Sequence, residues 1–298
     1  MSARQASVGH AIVGCVKRYA ALVLVSALAA CDRLDELQYD PPITGEQWCA
    51  DRPCVEVGST VLNEPLGTVL VFTLAALWVG VGIYFLITGR GQRSRSWLGV
   101  ALVLGGLGAA QAGVSFQAFS YELKCAGREF CSFTNGFEVG YSLTQAWSVS
   151  AMLIAVAIAC ALGRGRRAVI VYAVLNALVY CVVLFLGVMQ PSKFLLSFEL
   201  LMLFAVPGII IVIVMALRRY RTTHDRAPRA ILIAAVALIL VNVAYFGYYA
   251  LGITEALWDS GAGFYFSAND VLHVGMIAWL IYVAAALGPT LADRVSPE

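Results

Sequence analysis

A small set of acidic, hydroxyl and imidazole side chains lies within otherwise apolar stretches of the chain, where polar groups are costly and often functional. The set comprises Ser115, Glu138, Glu199, Asp270 and His273. An acid and a histidine at one depth could transfer a proton, bind a metal ion or bind a polar ligand. One hypothesis is therefore catalytic, with His273 and Asp270 or Glu199 as general base and orienting group and Ser115 or water as the nucleophile.

Three- and four-residue spacings predict that further polar side chains share helix faces with this set. Gln111, Ser115 and Glu122 fall within about 40° of one another around one helix, and Asn269 and His273 lie one turn apart on another. The predicted ligand-binding residues are Gln111, Ser115, Glu122, Glu138, Tyr141, Gln145, Glu199, Asn242, Tyr245, Tyr249, Asn269 and His273. All would lie at one level near one membrane surface, which predicts a polar pocket open to that side. The alternative for single serines, amides and tyrosines is hydrogen bonding between helices, which we favour for Tyr172, Asn176 and Tyr180.

The elements that must position these residues are membrane helices. Of the 298 residues, 60% are hydrophobic and only 13% are charged, and the mean hydropathy is +0.81. These values exclude a water-soluble globular domain, which carries about twice the charge. Seven apolar segments are long enough to span a bilayer, at about 66–88, 97–119, 141–162, 168–189, 194–217, 230–251 and 270–287. The sequence predicts an all-α, seven-helix transmembrane bundle over residues 65–289.

The distribution of basic residues predicts the orientation of the bundle. The connections after the first, third and fifth segments carry eleven arginines, and Arg294 follows the last segment. The other side, with the stretch before the first segment, carries five basic residues. By the positive-inside rule the arginine-rich loops are cytoplasmic, the bundle begins outside, and residues 290–298 form a cytoplasmic tail.

The first residues resemble an export signal. Lys17 and Arg18 precede a short apolar stretch that ends Leu28-Ala29-Ala30-Cys31, which resembles a bacterial lipobox with Cys31 as the lipidated residue. Residues 1–31 would then be a signal segment of a protein of the bacterial inner membrane. An uncut eighth helix starting near Ala11 is the alternative. Either interpretation places residues 32–64 outside the cytoplasm.

Cysteine placement agrees with this orientation. Cys49 and Cys54 precede the first membrane segment, and Cys125 and Cys131 lie between the second and third. An oxidising compartment would pair them. The simplest disulfides are Cys49 to Cys54 and Cys125 to Cys131, with crossed pairing as the alternative. The residue inventory also argues against some cofactors, because the few lysines cannot supply a retinal Schiff base in the last helix and a single membrane histidine does not suit haem.

Seven helices with these polar positions resemble the CREST superfamily of membrane hydrolases, which includes alkaline ceramidases and adiponectin-receptor-like proteins. The family pattern has Ser-x-x-x-His late in the second helix, an acid near the start of the third and His-x-x-x-His opening the seventh. Ser115 matches the serine and Glu138 the acid, but Phe119 and Asn269 replace two histidines, and only His273 is kept. The resemblance implies zinc-dependent hydrolysis of lipid amides, with His273, Asp270 and Glu138 as the remaining candidate metal ligands. With these histidines missing, zinc binding is doubtful and an oxygen-bound ion such as calcium is an alternative.

The function that these observations favour is a ligand- or lipid-binding receptor, sensor or accessory membrane protein. A CREST-like hydrolase is the first alternative and a transporter the second. The expected partners are membrane lipids and a lipid or small-molecule ligand in the outward-facing pocket. Nothing in the sequence indicates nucleic-acid binding.

Overall fold

The computed structural model describes residues 33–260 and 264–294. The predicted signal segment with Cys31, and the end of the predicted tail, lie outside the described residues. Within the described residues, seven helices are long and apolar enough to cross a membrane, so the seven helices predicted for residues 65–289 are confirmed. The helices of the described chain are α1 (Gly45–Ala50), α2 (Pro65–Thr88), α3 (Arg93–Ala112), α4 (Ser120–Lys124), α5 (Gly136–Cys160), α6 (Gly163–Met189), α7 (Phe198–Thr223), α8 (Arg226–Ala250), α9 (Ile253–Asp259) and α10 (Ala268–Leu287).

Small residues allow α2, α3 and α5 to pack closely. A Cβ added to Gly99 would lie 2.8 Å from the carbonyl oxygen of Gly82 on α2, and one added to Gly105 would lie 2.8 Å from the Trp78 ring. Between α3 and α5, the Ser148 hydroxyl donates to the carbonyl of Ala101 at 2.7 Å. Close approach of this kind is how membrane helices gain packing and hydrogen bonds without a hydrophobic driving force.

The largest apolar cluster fills the centre of the bundle. It joins α2, α3, α5, α7, α8 and α10 and contains Trp78 and Trp279, whose rings meet edge to face at 6.4 Å. The Trp279 ring nitrogen donates to the carbonyl of Ala234 on α8 at 2.8 Å. The seventh membrane helix, α10, is therefore held between α2 and α8, and this placement fixes the depth of Asp270 and His273.

Residues 33–64 form a cap on one end of the bundle, which we call the disulfide end. The cap contains α1 and the antiparallel hairpin of β1 (Cys54–Val57) and β2 (Thr60–Asn63). Disulfides Cys49–Cys54 and Cys125–Cys131 form as the simplest pairing predicted. Thr44 caps α1 through a capping box with Gln47, because its hydroxyl accepts from a backbone N–H that the helix leaves unpaired.

The cap contacts the connections between the membrane helices rather than standing free. The backbone N–H of Cys131 donates to the carbonyl of Ile43 at 2.8 Å, between α4 and α5. The Trp258 ring nitrogen on α9 donates to the carbonyl of Ala50 at 2.9 Å. Arg33 donates to the carbonyl of Met189, at the end of α6, at 3.0 Å. The cap thus links three separate connections at the disulfide end.

The opposite end, which we call the arginine end, is closed by residues 288–294. Asp293 accepts from the backbone N–H groups of Arg93 and Ser94, at the start of α3, at 2.9 and 2.7 Å. Arg294 donates to the carbonyl of Cys160, at the end of α5, at 2.7 Å. An acid at a helix start and a base at a helix end match the helix dipoles. Residues 290–294, predicted as part of a tail, are therefore packed against two membrane helices.

Candidate functional site

A π-helix at the end of α3 brings two polar side chains into the protein. Residues 113–118 are π-helical, and the N–H of Phe119 donates to the carbonyl of Val114 at 3.0 Å. Ser115 and Gln117 are both buried, although residues two apart lie on opposite sides of an ordinary α-helix. The wider turn of the π-helix changes the register, and such turns are frequent at functional sites.

Ser115 belongs to a group that we call the lysine cluster, comprising Ser115, Lys124, Asn135 and Glu138. The Lys124 ammonium lies 2.5 Å from Glu138 Oε1. The same carboxylate oxygen accepts from the Ser115 hydroxyl at 2.7 Å, and Asn135 Nδ2 donates to Ser115 Oγ at 2.7 Å. None of these four side chains has a buried polar atom without a partner. The cluster is charge-balanced, and each of its four side chains is hydrogen-bonded or ion-paired to another member.

Lys124 also ties the cap to the bundle. Its side chain is 2% exposed and donates to the Tyr39 hydroxyl and the carbonyl of Phe133, both at 3.1 Å. Burial is the largest single influence and lowers the pKa of Lys124, but Glu138 and Tyr39 together raise it more, so the pKa lies above its usual value. The lysine therefore remains charged, and the ion pair is a structural link between the cap and α5.

A second group, which we call the acidic chamber, comprises Glu64, Gln117 and Asp270, which converge at Gly67. Glu64 immediately precedes α2, Gln117 is on the π-helix, and Asp270 is in the first turn of α10. A Cβ added to Gly67 would lie 3.0 Å from Asp270 Oδ1, 3.2 Å from Gln117 Cγ and 3.5 Å from Glu64 Oε2. Two carboxylate oxygens and the Gln117 side chain thus surround a point that a side chain at position 67 would crowd.

Three oxygens of the acidic chamber have no hydrogen-bond partner among the described residues. They are Glu64 Oε2, Gln117 Oε1 and Asp270 Oδ1, and the residues that carry them are 4%, 2% and 0% exposed. The other Asp270 oxygen is satisfied, because it accepts from the backbone and hydroxyl of Ser267 at 2.7 and 3.1 Å. Buried polar atoms normally have partners, so three such acceptors on side chains that meet at Gly67 indicate a site for a positively charged or hydrogen-bond-donating group.

Glu64 is the member of the acidic chamber nearest the cap. Its backbone is left-handed at φ 41°, a conformation that is uncommon for a residue with a side chain and clusters at functional sites. Glu64 Oε1 lies 3.7 Å from an Arg52 nitrogen and accepts from the Tyr265 hydroxyl at 3.4 Å. Burial raises the pKa of Glu64 to about 7, with Arg52 opposing the rise and Asp270 adding to it.

His273 is buried one turn further along α10 than Asp270, and its Nδ1 has no hydrogen-bond partner among the described residues. Ser115 hydrogen-bonds to Glu138 and Asn135 instead of to a histidine. Across the described chain, no group of three or more histidine, cysteine, aspartate and glutamate side chains is arranged to hold a metal ion. The candidate metal ligands His273, Asp270 and Glu138 are therefore not brought together as a ligand set.

Several predicted ligand residues are used locally or lie outside both clusters. Gln111 and Asn242 donate to carbonyls of their own helices, and Gln145 donates to the carbonyl of Gly105 on α3 at 3.2 Å. Glu122 accepts from the backbone N–H of Val61 at 2.7 Å and so holds the hairpin. The expected shared face of Gln111, Ser115 and Glu122 is broken by the π-helical turn.

The other predicted ligand-binding residues differ in how far they are buried and in what they contact. Glu199 was expected a turn inside its segment, but α7 begins at Phe198, so Glu199 is exposed in the first turn of the helix. Tyr249 is 67% exposed. Tyr141 packs edge to face on Phe116, Tyr245 packs on Phe246, and Asn269 is half-buried. Asn176 links α6 to α7 by donating to the carbonyl of Phe204 at 3.2 Å. This is the interhelical role that the sequence favoured for Tyr172, Asn176 and Tyr180.

No protein-family model matches the sequence, and no curated protein and no solved structure matches it. Glu64 and Gln117 were not identified from the sequence. Glu64 stands directly before Pro65, the first residue of α2, and an acid at that membrane boundary is the signal that could have identified it. Gln117 had no usable signal, because helical spacing places it away from Ser115.

Proposed function

We propose that this polytopic membrane protein is a non-catalytic receptor, sensor or accessory protein that binds a small cation in the acidic chamber. The observation that carries the proposal is that two buried, unpartnered carboxylate oxygens, Asp270 Oδ1 and Glu64 Oε2, meet at Gly67, with the Gln117 side chain, whose own amide oxygen is unpartnered, beside them. Two carboxylates buried side by side repel each other, and a cation between them would remove that repulsion and satisfy the amide oxygen as well.

The donor set limits the chemical class of the cation. Carboxylate and amide oxygens suit a hard ion such as Ca²⁺ or Na⁺, or a protonated amine, and not a metal that prefers sulfur or nitrogen. Two carboxylates and one amide also lack the histidine and cysteine ligands of a typical zinc site. The nearby Arg52 reduces the negative charge of the chamber, which favours a weakly bound and exchangeable cation.

The proposed location is the bacterial inner membrane, with the disulfide end outside the cytoplasm. Support comes from the arginines that close the opposite end and from the two disulfides of the cap. In this orientation the acidic chamber lies below the outer surface, under Arg52 and Tyr265. A sensor of external cations would have its site at that depth.

The hydrolase alternative rests on the Ser115–Glu138 hydrogen bond of 2.7 Å, which pairs the serine and the acid of the CREST pattern. Lys124 also contacts that carboxylate, and Ser115 has no histidine partner to accept its proton. Metal analysis of purified protein separates the two functions. One equivalent of zinc that is lost in His273→Ala would favour the hydrolase over the cation-binding receptor.

Cation titration of detergent-purified protein tests the proposed function. Ca²⁺, Na⁺ and methylammonium would each be titrated against wild type, Asp270→Asn and, as a control of equal charge change, Glu56→Gln on the exposed hairpin. We expect thermal stabilisation by at least one of the three cations, unchanged in Glu56→Gln and weakened about tenfold in apparent affinity in Asp270→Asn. If none of the cations stabilises wild type, or if both variants respond alike, the acidic chamber is not a cation site.

A further inference from the structure

A hollow of about 290 Å³ lies at the arginine end, on the opposite side of the bundle from the acidic chamber. It is bounded by the end of α5, the end of α7, the start of α8 and the closing segment 288–294. The lining residues are Ala159, Arg219, Asp225, Arg226, Ala227, Pro228, Thr290, Ala292, Asp293 and Arg294. The walls are thus small apolar side chains with charged groups from three separate parts of the chain.

The cationic groups of the hollow exceed its available acidic groups. Of the two acids, Asp293 is engaged by the backbone of Arg93 and Ser94, and Asp225 accepts from Arg219 at 3.0 Å. Arg226 makes no side-chain hydrogen bond or ion pair among the described residues. One arginine is therefore left to pair with a group that comes from outside the chain.

The start of α8 adds hydrogen-bond donors to the same hollow. Asp225 is the N-cap residue of this 25-residue helix, but its side chain makes no capping hydrogen bond because its carboxylate is turned to Arg219. The first N–H groups of α8 therefore have no side-chain acceptor, and the positive end of the helix dipole is uncompensated. A bound anion would fill the role that the Asp225 side chain does not take.

Arg294 gives a second, independent indication of a missing anion. Its Nη1 donates to the carbonyl of Cys160, while its buried Nε has no partner among the described residues. Burial and the neighbouring charge of Arg219 both lower the pKa of Arg294. Two guanidinium groups repelling each other across a hollow would be stabilised by a negative charge between them.

We propose that this hollow binds a phosphate group, as carried by an anionic phospholipid headgroup or a small phosphate ester. Arginine forks match phosphate oxygens in geometry, and free N–H groups at a helix start bind the same oxygens. Basic pockets between membrane helices at the cytoplasmic surface are typical sites for such headgroups. The volume lies near the lower end of the range for small-ligand sites, about 300 to 1,000 Å³, which suits a single headgroup. The proposal does not depend on the cation site.

The test compares two arginines of α8 that lie in its first turn. Both are exposed, but Arg226 lines the hollow and Arg229 does not. Arg226→Gln and Arg229→Gln change the net charge equally. Purified protein would be placed in nanodiscs of phosphatidylcholine with or without phosphatidylglycerol, and retained lipids counted by native mass spectrometry. A second arm measures thermal stabilisation in detergent by inorganic phosphate and by glycerol 3-phosphate.

We expect wild type and Arg229→Gln to retain phosphatidylglycerol in preference to phosphatidylcholine, and Arg226→Gln to bind it about three- to tenfold more weakly, as for loss of one charge-assisted contact. If the free phosphates stabilise the protein but no lipid is preferred, the phosphate site is supported and its ligand is a soluble phosphate compound rather than a lipid headgroup. Equal losses in the two variants would show diffuse attraction to the arginine end, and no preference for phosphate in either arm would also overturn the proposal.

Discussion

The lysine cluster and the acidic chamber lie at the same end of the protein and share one π-helix, yet they differ in how completely their charges are paired. Ser115 joins the lysine cluster, in which every member is hydrogen-bonded. Gln117, two residues later, joins the acidic chamber, where three oxygens lack partners. Burial therefore does not distinguish the two clusters, but the completeness of their hydrogen bonding does.

The energetic contrast explains why the two clusters would be retained for different reasons. In a buried ion pair the mutual attraction and the hydrogen bonds offset the cost of removing both charges from water, but removal of one partner leaves a charge unpaired in a medium of low dielectric constant. Unpartnered buried carboxylate oxygens lower the stability of the folded state, and proteins tolerate them at sites where a ligand supplies the missing contacts. The acidic chamber has this second character.

The largest effect on stability is expected from breaking the ion pair of the lysine cluster. Lys124→Met would leave the Glu138 carboxylate buried and unpaired, and we expect a loss of about 3 to 5 kcal/mol of stability. Equilibrium unfolding in mixed micelles measures the loss. The double variant Lys124→Met with Glu138→Leu should recover most of it, because no buried charge then remains. A Lys124→Met protein as stable as wild type would mean that the ion pair is not what holds the cap to α5.

A smaller effect is expected from pH at the acidic chamber. Because burial raises the pKa of Glu64 from 4.5 to about 7, the folded state binds its proton more tightly than the unfolded chain. The stability contributed by protonated Glu64 is complete below pH 4.5 and is lost as pH rises through about 7. The total is about 3 kcal/mol, at 1.36 kcal/mol for each unit of pKa shift.

Subtraction of two pH profiles isolates this contribution. Unfolding of wild type and Glu64→Gln would be measured from pH 4.5 to 8 without added divalent cations. The difference between them should grow with pH, with wild type becoming the less stable of the two. Arg52, Asp270 and Tyr265 face Glu64 in both proteins, so their own titrations largely cancel. Parallel profiles would show that Glu64 is not the titrating group.

The sequence predicted the bundle well because membrane helices are specified by apolar length, a property of each segment alone. Its limits appear at the polar residues. The prediction that Gln111, Ser115 and Glu122 share a face assumed regular α-helical spacing, which the π-helix interrupts. The position of Gln117 in the sequence does not predict that the helix changes register there.

Glu64, Asp270 and Lys124 show a second limit. Asp270 was identified as an intramembrane acid, but its neighbour Glu64 lies some two hundred positions earlier in the chain, in a loop that folds back over the bundle. Lys124 was counted only as a charge of the outer surface, although the cap buries it. Contacts between residues so far apart in the sequence depend on how the cap packs on the bundle, and the local sequence pattern carries no information about that packing.

The smallest change in stability is expected where the acidic chamber is filled by a single methyl group. Gly67→Ala would place its Cβ 3.0 Å from Asp270 Oδ1 and 3.2 Å from Gln117 Cγ, so these two side chains must shift by a few tenths of an ångström. Alanine also favours the helix by about 1 kcal/mol, which offsets the crowding and keeps the net change within about 1 kcal/mol.

Cation binding should respond to Gly67→Ala far more than stability does. We expect apparent cation affinity to fall about tenfold, because the methyl group occupies the point beside the unpartnered oxygens of Asp270 and Glu64. Gly80→Ala is the matched control, because Gly80 lies on the same helix and a Cβ added there would meet no atom within 4 Å. Retained cation binding in Gly67→Ala, at the level of Gly80→Ala, would mean that the unpartnered oxygens do not form the binding site, and the contrast between the two clusters would lose its functional meaning.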